Sequence, residues 1–347
     1  MLKKYKKNIC NTIFFLFIVG ITFYLLLKDQ EIPLIVDSIR RTNLVYLLLG
    51  NVAVIFFVCS ESVIIHYLMK RLKSPMRLRS CIKYSFIGFF FSCITPSSTG
   101  GQPAQLYYMK KDNANLGVAT LMLVEVTIAF KAVLIFLGIL MLTIKRKFVI
   151  YYLGKYMGLF YFGIIINIVV VFWLNMLLFH TKTVRKLVNR LISFLASINI
   201  IKDKEATLEK AEIAFSKYDE GAVLLKRKKK IRAVVFIITF VQRIVLFLVT
   251  YFVYRAFGLS TYGVVEVVAL QSVISIAVDM LPLPGGIGAS ENLFLVIFRR
   301  IFGRSLIMPG MLLSRGISYY GLLLMSAVIT VVVQIRYSYR VGKLQNK

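Results

Sequence analysis

Several charged side chains lie deep inside long apolar stretches of this sequence. They are Glu61, Glu125, Lys131, Arg243, Glu266, Asp279 and Arg315. An unpaired Lys, Arg or Asp at the centre of a bilayer costs about 2.5 to 3.5 kcal/mol on the translocon scale, so we expect these groups to face the protein interior. Ion pairing, phosphate binding and proton transfer are the chemistry open to such groups.

Arg243 is the strongest candidate for binding an anion. It follows Gln242 near the middle of an apolar stretch, and its planar guanidinium suits phosphate oxygens. Glu125, Lys131 and Asp279 are the other main candidates. Glu125 and Lys131 stand about 240° apart around a helix, so we expect them to pair with other helices. The alternative for each is a structural ion pair or a position near the interface.

Two segments rich in glycine and proline interrupt the apolar pattern. TPSSTGGQPAQ spans residues 95–105, and LPLPGGIGASE spans residues 281–291. Non-helical backbone at membrane depth is tolerated only where it is buried in protein or lines a wet cavity, and its free N–H groups can bind an anion. We expect these substrate-binding candidates: Ser97, Ser98, Thr99, Gly100, Gly101, Gln102, Pro284, Gly285, Gly286, Gly288 and Glu291.

The two segments also resemble each other. Gly100, Gly101 and Ala104 fall 185 residues before Gly285, Gly286 and Ala289. Matching interruptions in two halves of a membrane protein are typical of an inverted repeat with its transport site at the interruptions. The alternative is that both segments are surface loops between short, tilted helices.

Composition places these segments in a polytopic membrane protein. Hydrophobic residues make up 59% of the 347 positions, charged residues make up 17%, and the mean hydropathy is +0.77. The net charge is +29, but the basic residues cluster between apolar runs and at the two ends. We therefore attribute the charge to membrane topology and expect no nucleic-acid partner.

The apolar runs predict an all-α fold of about six spanning helices. The predicted spans are residues 9–27, 44–69, 117–143, 158–180, 231–257 and 311–335. Two further stretches, 81–94 and 263–280, run directly into the two turns. We expect each to form a re-entrant helical hairpin, and the two hairpins to enter the membrane from opposite sides.

Basic residues near the span ends predict the orientation. The N-terminus, the segment 70–79 and the segment 226–230 are strongly basic and should be cytoplasmic, as should both termini. Residues 145–147 would then lie outside, as an exception to the rule. The chain divides into an N-terminal membrane half at 1–180, a cytoplasmic amphipathic linker at 181–230 and a C-terminal membrane half at 231–347.

No residue pattern indicates a metal, a disulfide or a cofactor. The cysteines and histidines are scattered through apolar surroundings without a paired motif, and no ATP-binding motif is visible. We predict no metal site and no cofactor, and we assign no catalytic residue.

The chain resembles the lysylphosphatidylglycerol synthase transmembrane region family, the flippase-like half of the bacterial multiple peptide resistance factor proteins. The match is strongest at Pro284, Gly285, Gly286, Gly288 and Glu291, which follow the second family signature. Where many members carry a Gly–Glu pair followed by an Arg, this sequence has Gly101, Gln102 and Gln105.

This resemblance implies a protein with re-entrant segments that moves aminoacylated phosphatidylglycerol or another lipid between leaflets of the bacterial plasma membrane, and a link to antimicrobial peptide resistance. Complete members add a soluble domain that transfers lysine from aminoacyl-tRNA to the lipid. We expect that domain to be absent, because the sequence ends eleven residues after Arg336.

Three functions therefore stay open. The first is a flippase for an anionic or aminoacylated phospholipid. The second is an integral-membrane transferase, with Glu125 and Asp279 as candidate acids or bases. The third is a membrane partner that docks a separate synthase or glycosyltransferase through residues 181–230. The sequence leaves a homo-oligomer open as well.

Overall fold

The computed structural model describes residues 32–197 and 203–345, and these residues are almost entirely helical. The all-α prediction is confirmed for this part of the chain, and no strand occurs in it. The predicted span at 9–27 lies outside the described residues.

The first membrane half consists of seven α-helices in the described part, with a 3₁₀ turn at Gly154–Tyr156. They are α1 Ile32–Arg40, α2 Leu44–Arg71, α3 Leu78–Ile94, α4 Gly101–Lys111, α5 Leu116–Ile144, α6 Arg146–Leu153 and α7 Met157–Phe179. Asparagine caps begin the two longest of them. The Asn43 side chain accepts a hydrogen bond from the Val45 N–H, and the Asn115 side chain accepts one from the Val118 N–H.

The remaining described helices belong to the predicted linker and to the second half. The linker contains α8 Thr181–Ser197 and α9 Lys204–Arg227. The second half contains α10 Lys229–Ala256, α11 Val264–Val278, α12 Ala289–Ile297, α13 Arg299–Arg315, a π-helical turn at Gly316–Gly321 and α14 Leu322–Gln345.

Five of the described helical segments are long and apolar enough to cross a membrane. They are Leu44–Arg71, Leu116–Ile144, Arg146–Phe179, Lys229–Ala256 and Arg299–Tyr337. Each overlaps one of the predicted spans after the first, and some of their ends differ by several residues. The last one is bent, because Gly303 has non-helical dihedral angles and Pro309 lies inside α13.

The two interrupted stretches form helical hairpins whose tips touch. Helix α3 packs against α4, and α11 packs against α12. With 17 and 15 residues, α3 and α11 fall short of the roughly 20 residues of a typical crossing. Pro96 in the first turn and Pro284 in the second form an antiparallel backbone bridge. The Ser97 hydroxyl also donates to the Leu281 carbonyl at 3.2 Å.

The element order of the first half recurs in the second. Helices α2 and α10 both have 28 residues, begin 185 positions apart and pack along each other. Each is followed by a hairpin and then by a long apolar helix. The Gln242 amide of α10 donates to the Phe57 carbonyl of α2 at 2.8 Å, which links the two halves near the middle of both helices.

The linker helix α9 packs against the first turns of α5. A Cβ atom on Gly117 would lie 1.9 Å from the carbonyl oxygen of Ala214, so this contact requires glycine. Buried side chains of α9, among them Tyr218 and Leu225, join the core formed by α2, α4 and α5. Helix α9 is therefore packed against the N-terminal end of α5.

Candidate functional site

A cavity of about 490 Å³ lies where the hairpin tips meet the long helices. Both turns contribute to its wall, together with α2, α5, α10 and α11. Its charged and amide-bearing lining includes Glu61, Gln105, Lys131, Arg243, Asp279 and Arg315. A polar cavity therefore lies between helices that are otherwise apolar, at the place where the pattern of the sequence predicts the binding site.

Arg243 lies in this cavity and is held by aromatic rings. Its guanidinium carbon is 3.6 Å from the centroid of the Phe130 ring and 5.3 Å from that of Phe57. The residue is 8% exposed, and its Nε has no hydrogen-bond partner within the described residues. Burying an arginine whose N–H donor has no partner raises the free energy of the folded state, unless a ligand or a water molecule accepts that hydrogen bond.

Two carboxylates lie close enough to Arg243 to interact with it electrostatically, Glu61 and Asp279. In the part of the chain that the structure describes, neither forms a direct ion pair with the guanidinium. Glu61 accepts a hydrogen bond from the Gln105 amide at 3.1 Å. Asp279 pairs with Lys131. The cavity thus contains groups of both charge signs.

Lys131 joins the two halves at this point. Its ammonium group contacts the Asp279 carboxylate and lies 3.2 Å from the Met280 sulfur, although the two partners are far along the chain in the second half. Lys131 is on α5, whereas Asp279 follows α11. Their pairing confirms that Lys131 has its partner on another element, as its spacing from Glu125 predicts.

The first turn presents hydroxyl groups and backbone to the cavity. Ser97 and Ser98 have left-handed backbone dihedrals, with φ of 48° and 55°. Ser97, Ser98, Thr99, Gly101 and Gln102 line the cavity. Gly100 does not, and its N–H donates to the Thr95 hydroxyl at 2.9 Å. The structure thus brings most of the predicted residues of this turn together.

The second turn depends on glycine. Gly285, Gly286 and Gly288 have φ of 55°, 67° and 83°, a region that other residues rarely adopt. A Cβ atom on Gly285 would lie 2.1 Å from the Tyr319 hydroxyl oxygen. Gly285 and Gly286 line the cavity, whereas Gly288 and Pro284 do not. Pro284 instead forms the bridge between the tips.

Glu291 lies behind the second turn and does not line the cavity. It is 1% exposed and accepts hydrogen bonds from the Gly288 N–H at 2.7 Å and from Arg315 Nε at 2.8 Å. Arg315 also directs a guanidinium nitrogen toward the Gly285 carbonyl at 3.4 Å. Glu291 therefore positions the turn and Arg315, and Arg315 is the member of the pair that reaches the cavity.

Glu125 lies apart from the cavity. Its carboxylate accepts a hydrogen bond from Arg232 Nε at 2.8 Å, and Arg232 donates to the Asn175 side chain at 2.9 Å. This network ties α5, α7 and α10 together. The predicted site combines Glu125 with Asp279, but the structure separates them and gives Glu125 the contacts of a structural ion pair.

Glu61, Gln105 and Arg315 also line the cavity, although they are not among the substrate-binding candidates that the sequence predicts. The sequence does predict Glu61 and Arg315 as buried charges, and Gln105 ends the first turn. Arg315 immediately precedes the π-helical turn, which brings Tyr319 to the first hairpin, where its hydroxyl donates to the Cys93 carbonyl at 2.9 Å. A π-helical turn has no reliable signal in the sequence, so this contact could not be predicted.

The chemistry available to the cavity is that of binding and proton exchange. The described residues contain no cluster of His, Cys, Asp and Glu that could hold a metal ion. Arg243 offers a donor for an anion, and Glu61 and Asp279 offer acceptors for a cation. Aromatic rings such as Phe57 and Phe130 line the same cavity.

A comparison with protein families identifies one model that matches. It is described as the lysylphosphatidylglycerol synthase TM region, and it matches residues 12–326, which include both turns and every cavity residue named above. A comparison with curated proteins gives no significant match.

Proposed function

Because the chain belongs to the lysylphosphatidylglycerol synthase TM region family, with a role connected to membrane lipids, we propose that it moves a phospholipid between the leaflets of the bacterial plasma membrane. The observation that carries this proposal is the cavity at the hairpin tips, which is lined by Arg243, whose buried Nε has no hydrogen-bond partner among the described residues. Polar cavities of this kind bind substrates in transporters built from interrupted helices.

The lipid phosphate is the proposed partner of Arg243. A guanidinium binds phosphate oxygens through two parallel hydrogen bonds, and these are strong where water is excluded. The rings of Phe57 and Phe130 hold the guanidinium without occupying its donors. Ser98 lines the same cavity and offers a further hydroxyl donor, whereas the hydroxyls of Ser97 and Thr99 already donate to the carbonyls of Leu281 and Pro96.

Glu61 and Asp279 extend this proposal to the rest of the headgroup. Both interact electrostatically with Arg243, so a phosphate bound there would lie near two carboxylates. An ammonium group on the headgroup would be stabilised mainly by Glu61, since Asp279 already pairs with Lys131. This arrangement supports an aminoacylated phospholipid as the preferred substrate. A simple anionic phospholipid would then bind more weakly.

Relative movement of the two halves would expose the cavity to either side. The tips are joined by the bridge between Pro96 and Pro284 and by a few side-chain hydrogen bonds, so they can separate at modest cost. We propose that the hairpins are re-entrant, that both termini are cytoplasmic and that the halves rock about α2 and α10. The acyl chains would stay in the membrane.

The test is a liposome assay with the purified chain and labelled phosphatidylglycerol or lysyl-phosphatidylglycerol. Leaflet exposure and lipid identity are measured for the native protein, for Arg243→Gln and for the control Arg300→Gln, which removes an exposed arginine outside the cavity. We expect movement of the unmodified lipid, lost in Arg243→Gln and kept in the control.

A chemically altered lipid would support the transferase alternative instead. Asp279 and Glu61 are the carboxylates in the cavity and would then be the candidate acid or base. Equal movement by the native protein and by Arg243→Gln would reject the proposed phosphate site.

A further inference from the structure

A second concave site lies at one end of the helices, apart from the cavity at the hairpin tips. It has a volume of about 720 Å³. Its charged lining residues are all basic: Lys70, Arg71, Arg227, Lys228, Lys229 and Lys230. We call this site the basic groove. The residues that line it include no aspartate or glutamate.

The basic groove is assembled from three elements. Lys70 and Arg71 end α2, Arg227 ends α9, and Lys229 begins α10. All six basic residues are exposed, and none of them forms an ion pair with the described acidic residues. Six like charges around one concave surface repel one another, and a bound polyanion would relieve that repulsion.

Membrane topology alone explains the sign of these charges but not their arrangement. The positive-inside rule requires basic residues near span ends and is met equally by a flat or scattered distribution. Here the charges surround a hollow, which that rule does not require.

The groove also has an apolar floor. Ile231 is buried, Leu224 is half-buried, and the Tyr67 ring lies 5.3 Å below the guanidinium carbon of Arg71. Because α2 and α10 are both candidate spans and pack along each other, we place their shared end at the depth of lipid headgroups. A lipid could therefore place its phosphates against the basic side chains and its glycerol carbons against this apolar floor.

We propose that the basic groove binds the headgroup of a membrane lipid that carries two phosphates. Basic pockets between transmembrane helices on the cytoplasmic side favour such headgroups, and the charge of the groove exceeds what one phosphate neutralises. The proposal is independent of the transport site, because the groove shares no lining residue with the cavity at the hairpin tips.

The test uses the full chain in detergent with cardiolipin, which has two phosphates, and with phosphatidylglycerol, which has one. Retained lipid is measured by native mass spectrometry for the native protein and for the variant Lys70→Gln/Lys229→Gln/Lys230→Gln. We expect the native protein to prefer cardiolipin and the variant to bind it at least about tenfold more weakly, because each basic residue near an anionic surface strengthens binding several-fold.

A matched control removes the same charge elsewhere. The variant Arg146→Gln/Lys147→Gln/Lys155→Gln alters exposed bases beyond the far end of α5 and should keep the native preference. Gel filtration verifies that both variants are folded. Equal cardiolipin binding by all three proteins overturns the proposal. So does saturable binding of inorganic diphosphate to the native groove without any preference between the two lipids, which would identify a soluble ligand.

Discussion

The guanidinium carbon of Arg243 lies 3.6 Å from the centroid of the Phe130 ring, so a charge from the second half of the chain rests on an aromatic face from the first. This contact compensates part of the free-energy cost of burying the arginine and leaves its Nε without a hydrogen-bond partner among the described residues. The two residues are far apart in sequence, and their contact makes the proposed phosphate site depend on how the halves are packed.

Removal of the Phe130 ring should weaken lipid transport. A desolvated cation–π contact is worth about 2 kcal/mol, so we expect Phe130→Ala to reduce headgroup affinity at least roughly tenfold, measured from the lipid concentration that half-saturates transport. The control is Phe136→Ala on the same helix, since that residue is 44% exposed and does not line the cavity. Equal loss in both variants would show that general packing, and not the ring beneath Arg243, matters.

Neutralisation of Glu291 should destabilise the second hairpin. Its carboxylate is buried and bonded to Arg315, and removing one partner of a buried ion pair costs about 3 to 5 kcal/mol. We expect Glu291→Gln to lower the thermal unfolding temperature clearly. The control Asp37→Asn removes one partner of the exposed ion pair with Arg41 and should change the unfolding temperature little. An unchanged unfolding temperature for Glu291→Gln would show that Arg315 does not depend on this carboxylate.

The sequence predicts the all-helical architecture and both interrupted segments because hydrophobic period and helix breakers act locally. It also predicts Arg243, Lys131 and Asp279 as buried charges, and the structure places all three on one cavity. It does not separate Glu125 from this group, because the pairing of Glu125 with Arg232 depends on how α5 and α10 pack. The packing of helices that are distant in sequence determines which buried charges form ion pairs, and no local sequence pattern predicts that packing.

Replacement of Gly285 by alanine should destabilise the protein far more than the same replacement at another glycine of similar conformation. Gly285 and Gly258 both have positive φ, at 55° and 75°, but a Cβ atom would strike Tyr319 at the first and meet nothing within 4 Å at the second. We expect Gly258→Ala to cost about 1 kcal/mol in unfolding free energy from backbone strain, and Gly285→Ala to cost more and to abolish transport. Similar values for the two variants would show that Tyr319 moves aside freely.

Low pH should destabilise the base of the first hairpin, where Asp112 accepts its hydrogen bonds. Burial alone would raise the pKa of Asp112, but hydrogen bonds from Lys83, Tyr337 and Tyr84 hold this pKa below its ordinary value of 3.8. A lowered folded-state pKa stabilises the protein above 3.8, and this contribution is lost as the pH falls through the folded-state value. Asp112→Asn should therefore lower stability at neutral pH and flatten its dependence on acid. Thermal unfolding across that range provides the measurement, and a parallel pH profile for both proteins would contradict the assignment.

Joining the hairpin tips should stop transport without harming the fold. Pro96 and Pro284 face each other in a backbone bridge, a separation that a disulfide can span. We expect Pro96→Cys/Pro284→Cys, made in a background whose native cysteines are replaced by serine, to lose lipid movement on oxidation and to regain it with reductant. Each single cysteine variant serves as the control and should be insensitive to oxidant. If the oxidised double variant shows a completed cross-link but still moves lipid at the native rate, the tips do not separate during transport, and the lipid must pass along another surface of the protein.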